Sequence, residues 1–409
     1  MSCLTQNLVD FRGCSIRDLF VKRLHRQPYC LRYVQNNDLF LIYPTPDSDP
    51  HNGVVEECNG IIIEKDTFNI VSYGMEKLRE GQGNTVDDIV KQDAPVSENA
   101  GESTRQEEVL VEESVDGTAI KIYNYRNKWF VSTNKTIDAC RARWSSNRSF
   151  LQMTYDAVGV TTEKEFQNLM NASLSAFNTY CFILVHPENH LVIRYGKPAL
   201  FFVASRDMRT LAETRDGPAA SWYSHPNVIT VEEATRRLSV TERQAARGII
   251  ISKKSSWGSF TRYKVDYPWY RGVNVLRKNK PSMKESYIAC SSAEERENLK
   301  QAFADDELSC AEIDKSEEIM SWVHEQVTSK YIMFRFGSGS ISSLSGSMEQ
   351  SILQKIFDHL VQPDDDTRCT PKLPTILELK RHDIEQAIDT LDFDSKMALI
   401  KRFGPPQDE

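Results

Sequence analysis

Residues 111–124, Val-Glu-Glu-Ser-Val-Asp-Gly-Thr-Ala-Ile-Lys-Ile-Tyr-Asn, constrain this chain more than any other stretch. Ala119, Lys121 and Tyr123 alternate with Ile120 and Ile122, which is the period of a strand. Asp116-Gly117 supplies the tight turn that feeds into it. A short apolar lead-in precedes the tetrad Ser114-Val115-Asp116-Gly117.

Length and composition bound the rest. A chain of 409 residues accommodates two or three domains, each with its own core. Hydrophobic content of 40% and charged content of 26% are those of an ordinary globular protein. A net charge of −8 argues against indiscriminate coating of nucleic acid and leaves a local basic groove open. Nine cysteines are scattered with no Cys-x-x-Cys, and the amino terminus is polar. Free thiols in a reducing, cytoplasmic setting are the expectation, and the sequons at Asn134, Asn147 and Asn171 are then without consequence. No apolar run reaches bilayer-spanning length, so no membrane partner is expected.

Along the chain, residues 1–78 read as mixed α/β, with strands at 39–43 and 60–64. Residues 81–108 are poor in apolar side chains and read as a flexible loop. A hairpin over 120–133 turns at Arg126-Asn127-Lys128. A helix over 162–177 opens on a capping box of Thr162 and Glu165. Strand-rich runs follow at 180–195, 200–205 and 248–252, with a hairpin into 260–265. Beyond about Ser286 the pattern becomes helical: 293–304 capped by Ser292 and Glu295, then 316–336 stopped by Gly337. An apolar stripe of Met348, Ile352, Leu353, Ile356, Phe357 and Leu360 is expected to pack in a core. The Ser/Gly-rich residues 337–347 read as a flexible connection. Two more helices are expected within 375–391 and 395–402.

Several stretches, in one order, resemble the phage-type RNA ligases of the tRNA-repair class, members of the covalent nucleotidyltransferases. Glu57-Cys58-Asn59-Gly60-Ile61 is similar to that family's Glu-Cys-Arg-Gly-Ile, and Met75-Glu76-Lys77 to its Met-Glu-Lys. Ser114 to Gly117 falls where the family carries Lys-x-Asp-Gly, whose lysine attacks the α-phosphate of ATP. Phe182-Ile183-Leu184-Val185-His186-Pro187-Glu188-Asn189 resembles Phe-Glu-Phe-Val-x-Pro-x-Asn, and Arg247-Gly248-Ile249-Ile250 resembles Glu-Gly-Tyr-Val. Arg262-Tyr263-Lys264 followed by Trp269-Tyr270 resembles the closing Lys-x-Lys motif and the Trp-Tyr beyond it. The resemblance implies an α+β fold: a nucleotidyltransferase domain of antiparallel sheets around a cleft over residues 1–285, then an all-helical domain over 286–409.

The departures from the family pattern are systematic. The nucleophilic lysine is Ser114, the strand carboxylate is Ile183, the second carboxylate is Arg247 and the early arginine is Asn59. A further lysine beyond the hairpin is either lost at Asn134 or shifted to Lys135. Ligase chemistry needs an amine that attacks phosphorus and leaves again through a reactive P–N bond. A serine would need a base beside it and would form an ester that donates poorly. Mg²⁺ needs carboxylates to hold it against its hydration, which neither isoleucine nor arginine supplies. The expectation is a pseudoenzyme needing no cofactor, with residual ATP binding open.

Lys77, Asp116, Gly117, Arg247, Arg262 and Lys264 are the candidate nucleotide or phosphate contacts. Arg247 could grip phosphate without metal, or pair with Asp116 and close the pocket. Residues 247–284 mix basic and aromatic side chains with Asp266 as their single acid, so Lys253, Lys254, Arg271 and Lys278 are the candidate contacts to single-stranded RNA or tRNA. The aromatics there are expected to pack inward. His186 and His190 have metal-like spacing, but Pro187 bars an interior helix and no third ligand is evident. Cys58 and Cys181 read as small buried hydrophobes. Two alternatives remain: an active ligase with its nucleophile displaced to Lys121, and a purely structural assembly protein, of a virion if the source is viral.

Overall fold

The computed structural model describes residues 24–81, 85–91, 109–254, 260–336, 351–352, 354–356, 360 and 381–405. Expectations for 92–108, 337–350 and most of 357–380, together with Trp257, lie outside them. The chain divides into two compact units, Met1–Arg271 and Gly272–Glu409. The division falls inside a helix, Pro268–Arg277, rather than at the change of composition near Ser286.

Among its described residues the first unit contains three sheets. Strands β1 (Arg32–Gln35), β2 (Leu39–Tyr43), β3 (Ile61–Glu64) and β4 (Ile70–Ser72) form an antiparallel meander. The run at 39–43 is continuously apolar because β2 is covered on both faces. Phe40 and Ile42 face Val54, Val55 and Leu31, while Leu39 and Leu41 face Tyr123 and Ile137.

The second sheet runs β11-β10-β9-β7-β8. It comprises β7 (Thr118–Tyr125), β8 (Lys128–Thr133), β9 (Asn178–Val185), β10 (Ala199–Asp207) and β11 (Glu213–Thr214). The hairpin turn is at Arg126 and Asn127, both at positive φ, which matches the right-handed twist of the flanking strands. Ile120, Ile122, Phe182 and Leu184 point to one face, where helices α3 (Phe150–Val158) and α4 (Glu163–Ser173) cover them. The Thr162/Glu165 capping box is present, and the helix ends at Ser173 rather than continuing to 177. Residues 186–195, expected as strand, leave the sheet at Pro187, whose ring cannot donate to a ladder.

The third sheet has the order β5-β13-β12-β6, with β5 (Arg79–Glu80), β6 (Val109–Ser114), β12 (Gly248–Lys254) and β13 (Phe260–Asp266). Period-two alternation divides it by chemistry. Val111, Ile249, Ile251, Tyr263 and Val265 pack on one side with Val86 and Ile89 of α2 (Val86–Lys91) and Ala234 of α5 (Val231–Leu238). Helix α2 corrects the reading of 81–108 as loop throughout: Val86 and Ile89 lie three apart on one helical face and bury together. The opposite side of the third sheet carries Glu112, Ser114, Ser252, Arg262, Lys264 and Asp266.

The second unit is helical among its described residues. It contains α7 (Met283–Ala289), α8 (Ala293–Ala302), α9 (Glu307–Phe336), α10 (Arg381–Asp389) and α11 (Phe393–Phe403). Helix α9 begins earlier than 316 and buries Ile313, Met320, Val323, Val327 and Tyr331 at helical spacing. Ile352 and Ile356 of the predicted stripe join that core. No helix among the described residues is long and apolar enough to cross a membrane.

Ile251 is fully buried at the centre of the third sheet. Ile251→Ala is expected to cost about 2–5 kcal/mol, read as a lowered denaturant midpoint with an unchanged slope.

Candidate functional site

The polar side of the third sheet faces the edge of the second, and arginine–carboxylate pairs join them. Arg206 on β10 places Nη2 at 2.9 Å from Glu76 and 2.7 Å from Glu213, and its Nε donates to the Gly74 carbonyl at 2.9 Å. The guanidinium lies 4.1 Å over the Tyr73 ring. Glu213 also receives Arg262 of β13, and Arg215 pairs with Glu112 while donating to Ser252 Oγ at 3.1 Å. Glu112, Arg206, Glu213 and Arg262 are all buried, Arg262 to 4% exposure. Sequence reasoning missed Glu76, Glu112, Arg206, Glu213 and Arg215. The available signal was a charge inside apolar strand sequence, which must find a partner once buried.

At the Asp-Gly corner, Asp116 is 1% exposed. Its carboxylate accepts from the Val192 and Ile193 amides at 3.0 and 2.9 Å and from the Tyr270 hydroxyl at 2.7 Å. Its own amide donates to Tyr195 Oη at 3.1 Å. A side chain at Gly117 would meet the Leu184 carbonyl at 2.6 Å and Ile183 at 2.7 Å, so the corner packs tightly against β9. Ser114 is buried at the end of β6, paired across the sheet with Gly248. No carboxylate or imidazole among the described residues hydrogen-bonds its hydroxyl.

Arg247 pairs with Asp116 only at the limit of ion-pair distance, 3.9 Å. Its fork engages Asp266 instead, Nε to Oδ1 at 2.7 Å and Nη2 to Oδ2 at 3.0 Å, with the guanidinium 4.8 Å over the Tyr270 ring. Asp116 is already saturated by amides and a hydroxyl, whereas Asp266 presents both oxygens in the plane a guanidinium prefers. Burial pulls the Arg247 guanidinium down, and the Asp266 bond outweighs it, leaving the group above its ordinary value. Burial and Asp116 together hold the Tyr270 hydroxyl protonated. Lys264 shares Asp266 at 3.6 Å and reaches Glu80 at 3.2 Å.

The predicted contacts therefore fall into separate groups. Asp116, Arg247 and Lys264 gather around Asp266 and Tyr270. Lys77 and Arg262 instead line a cavity of about 170 Å³ with Arg79, Glu56, Glu57 and Glu76. That is smaller than the roughly 300–1,000 Å³ typical of small-molecule sites. Arg262 Nε is buried there without a hydrogen-bond partner. Asn59 donates to the Met75 carbonyl at 3.4 Å. Lys253 and Lys254 lie at the far end of β12, and Arg271 is exposed at the end of the first unit. Lys278 belongs to the second unit and donates to the Ala289 carbonyl at 3.0 Å and Glu295 at 2.6 Å. Tyr263, Tyr267 and Tyr270 are core residues as expected, and Phe260 and Trp269 are half-buried.

The resemblance to RNA ligases implies ATP and a divalent metal. Ile183 stands between Ala119 and Phe201 and offers no donor, and Arg247 is cationic. Among the described residues no group of three or more His, Cys, Asp or Glu is placed to hold a metal ion. The donor set does not fit. His186 closes a turn: its Nδ1 accepts from the Glu188 amide at 3.1 Å and its Nε2 lies 3.2 Å from Asp156. Cys58 and Cys181 are buried.

Lys121, the displaced-nucleophile candidate, is 3% exposed and donates to the Gly60 carbonyl. Burial pushes its amine down to about 8. Gly60, at φ +82°, lies so close that a side chain there would meet the ammonium at 2.6 Å.

Over 180 residues the chain is 28% identical to a putative bifunctional polynucleotide kinase/RNA ligase of Autographa californica nuclear polyhedrosis virus, covering 44% of this chain and 25% of that protein. Over that stretch the chain is similar to a viral protein whose name includes RNA ligase. The chain also matches an immediate-early protein ICP-46 homolog of Invertebrate iridescent virus 3, 22% identical over 234 residues, covering 55% of this chain and 49% of that protein. It thus spans between a quarter and a half of the length of these curated relatives. No family model matches it. Among solved structures, a putative ATP-dependent DNA ligase from Aquifex aeolicus is 11% identical with a TM-score of 0.41, covering 77% of this chain and 81% of that one. An archaeal ATP-dependent RNA ligase is 9% identical with a TM-score of 0.41, covering 78% and 82%.

Glu213→Ala leaves Arg206 and Arg262 short of a buried partner, an expected loss of about 3–5 kcal/mol read by chemical denaturation. For Lys121, the folded-state proton is held more weakly than in the unfolded chain, whose amine keeps its ordinary 10.5. The unfolded state therefore binds more protons between pH 8 and 10.5, and stability rises with pH through that window. Relative to Lys121→Met, wild-type stability is expected to gain about 2–4 kcal/mol across it. Parallel curves would contradict a lowered proton affinity at Lys121.

Proposed function

We propose that the chain is an RNA-ligase relative that is catalytically inactive and acts by non-covalent contact with RNA. The observation that carries the reading is Ser114: a hydroxyl stands where the family presents its amine, buried and with no base hydrogen-bonded to it. Serine at neutral pH attacks phosphorus only when a base removes its proton. Ile183 and Arg247 support the same reading, since neither helps seat a metal. The buried cations of the cleft are paired with carboxylates, and the cavity beside Lys77 and Arg262 suits a small anion better than a whole nucleotide. Contact with RNA is supported by the baculoviral relative, whose name couples an RNA ligase to a polynucleotide kinase.

The displaced-nucleophile reading has one observation in its favour, the lowered proton affinity of Lys121. Access counts against it. The amine is enclosed by Gly60 and Cys181 and does not line the cavity with Lys77 and Arg262.

Incubation with α-labelled ATP or GTP and Mg²⁺, followed by denaturing electrophoresis, separates these readings. The wild-type chain is expected to carry no label, and Ser114→Lys is expected to remain unlabelled because positions 183 and 247 still lack carboxylates. A stable wild-type adduct would overturn inactivity, and its loss in Lys121→Met would transfer the nucleophile's role to that residue.

A further inference from the structure

We propose that two clasped loops of the first unit, residues 134–149 and 186–198, form a single-stranded nucleic-acid platform, with Trp144 as the stacking surface and Arg141, Arg143 and Lys197 as phosphate contacts. The proposal rests on the RNA-binding reading above for its ligand class, and it names a surface which that reading does not.

The first loop is held by backbone bonds. The Ala139 amide donates to Val131 O at 2.7 Å, Ala142 to Ala139 O at 3.2 Å, and Phe150 to Ala142 O at 2.9 Å. Ser145 Oγ donates to the Glu188 carbonyl at 2.7 Å, and Ser146 bonds the Glu188 carboxylate, fastening this loop to its neighbour. The second loop is braced by Arg194, which contacts His190 at 3.0 Å and the Pro187 carbonyl at 3.4 Å. Asn189 donates to Thr118 Oγ1 at 3.0 Å, and the Val192 and Ile193 amides hold Asp116, so the clasp is fixed to the Asp-Gly corner.

Trp144 is 40% exposed, and Arg141, Arg143 and Lys197 are exposed. Among the described residues none of these cations has an ion-pair partner, while the arginines of the cleft do. The nearby carboxylates are engaged elsewhere. Asp138 accepts the Cys140 amide at 2.8 Å, Asp156 pairs with Arg148 at 2.6 Å, and Glu188 takes Ser146. The loops thus carry unneutralised guanidinium groups flanking an indole on a pre-ordered backbone. A base stacks on an indole only when unpaired, and Arg and Lys track the phosphates, which is the chemistry of single-strand platforms.

The test uses fluorescence anisotropy with labelled single-stranded RNA, single-stranded DNA and duplex RNA oligomers across a salt series. It compares wild type, Trp144→Ala, Arg141→Glu/Arg143→Glu, and Lys253→Glu/Lys254→Glu, each checked for unchanged thermal unfolding. Trp144→Ala is expected to weaken single-strand binding about five- to a hundredfold. The arginine reversal is expected to weaken it at least tenfold and to flatten the slope of log affinity against log salt by about 1.4, two contacts at ~0.7 each. Binding of RNA and DNA strands alike supports a general single-strand platform, and preference for RNA supports one that reads the 2′-hydroxyl. Equal affinity for duplex would overturn the stacking role. Wild-type affinity in both loop variants, with loss only in the β12 variant, would overturn this surface and leave the RNA-binding reading intact. No salt-dependent binding by wild type would remove both.

Discussion

Glu213 sits between two guanidinium groups, and the first unit is built around that arrangement. It accepts Arg206 from the second sheet and Arg262 from the third, while Arg206 also reaches Glu76 and Arg215 reaches Glu112. A charge buried alone would cost several kcal/mol, so each member holds only because the others are in place. The sheets therefore cannot be separated or slid by a residue without stranding a charge. Replacing the clasp by apolar residues could hold the sheets equally well, so its value is in fixing geometry rather than in added stability.

The same clasp determines what the cleft can do. An anion entering it would have to compete with carboxylates already at hydrogen-bond distance from the arginines. The altered family positions are accommodated locally in the same sense. Ile183 packs beside Gly117 and between Ala119 and Phe201, and Arg247 finds Asp266 and the face of Tyr270. Neither replacement leaves an orphaned group. Propensity and pattern agree around Ile183 and Arg247, which is how a sequence specifies a stable fold rather than a strained site.

Much of this fold was legible in the chain because period-two alternation survives wherever a sheet has one covered face. Alternation announces the hairpin at Arg126-Asn127, a continuous apolar run announces the strand at 39–43 and Ser/Thr-to-Glu spacing announces the cap at Thr162, while the runs read at 200–205 and 248–252 fall within Ala199–Asp207 and Gly248–Lys254. Residues 186–195 do not join a strand, because an apolar composition there serves loop amides that turn inward to Asp116 rather than a ladder. Helix α2 was masked by its acidic surroundings, since only Val86 and Ile89 reach the core. In the candidate site, the sequence identified the replaced positions but not their partners. Asp266 could be read as a neighbour of Arg247 only from strand register, and Glu213, seven residues beyond Arg206, lies 49 residues from Arg262 along the chain.

The two kinds of basic residue in the first unit follow from where their counter-charges lie. Inside the cleft, strands approaching from both sheets bring carboxylates with them, so Arg206, Arg215, Arg247 and Arg262 are neutralised by the fold itself. On the loops beyond β8 and β9, Arg141, Arg143 and Lys197 are exposed to solvent and have no ion-pair partner among the described residues. With an overall charge of −8, long-range attraction for a polyanion is weak, so affinity must come from such local, unneutralised sites. A cleft closed by its own ion pairs and an outer surface left cationic are thus two results of one constraint: where the backbone supplies an acid, the arginine becomes structure, and where it does not, the arginine stays available to a ligand.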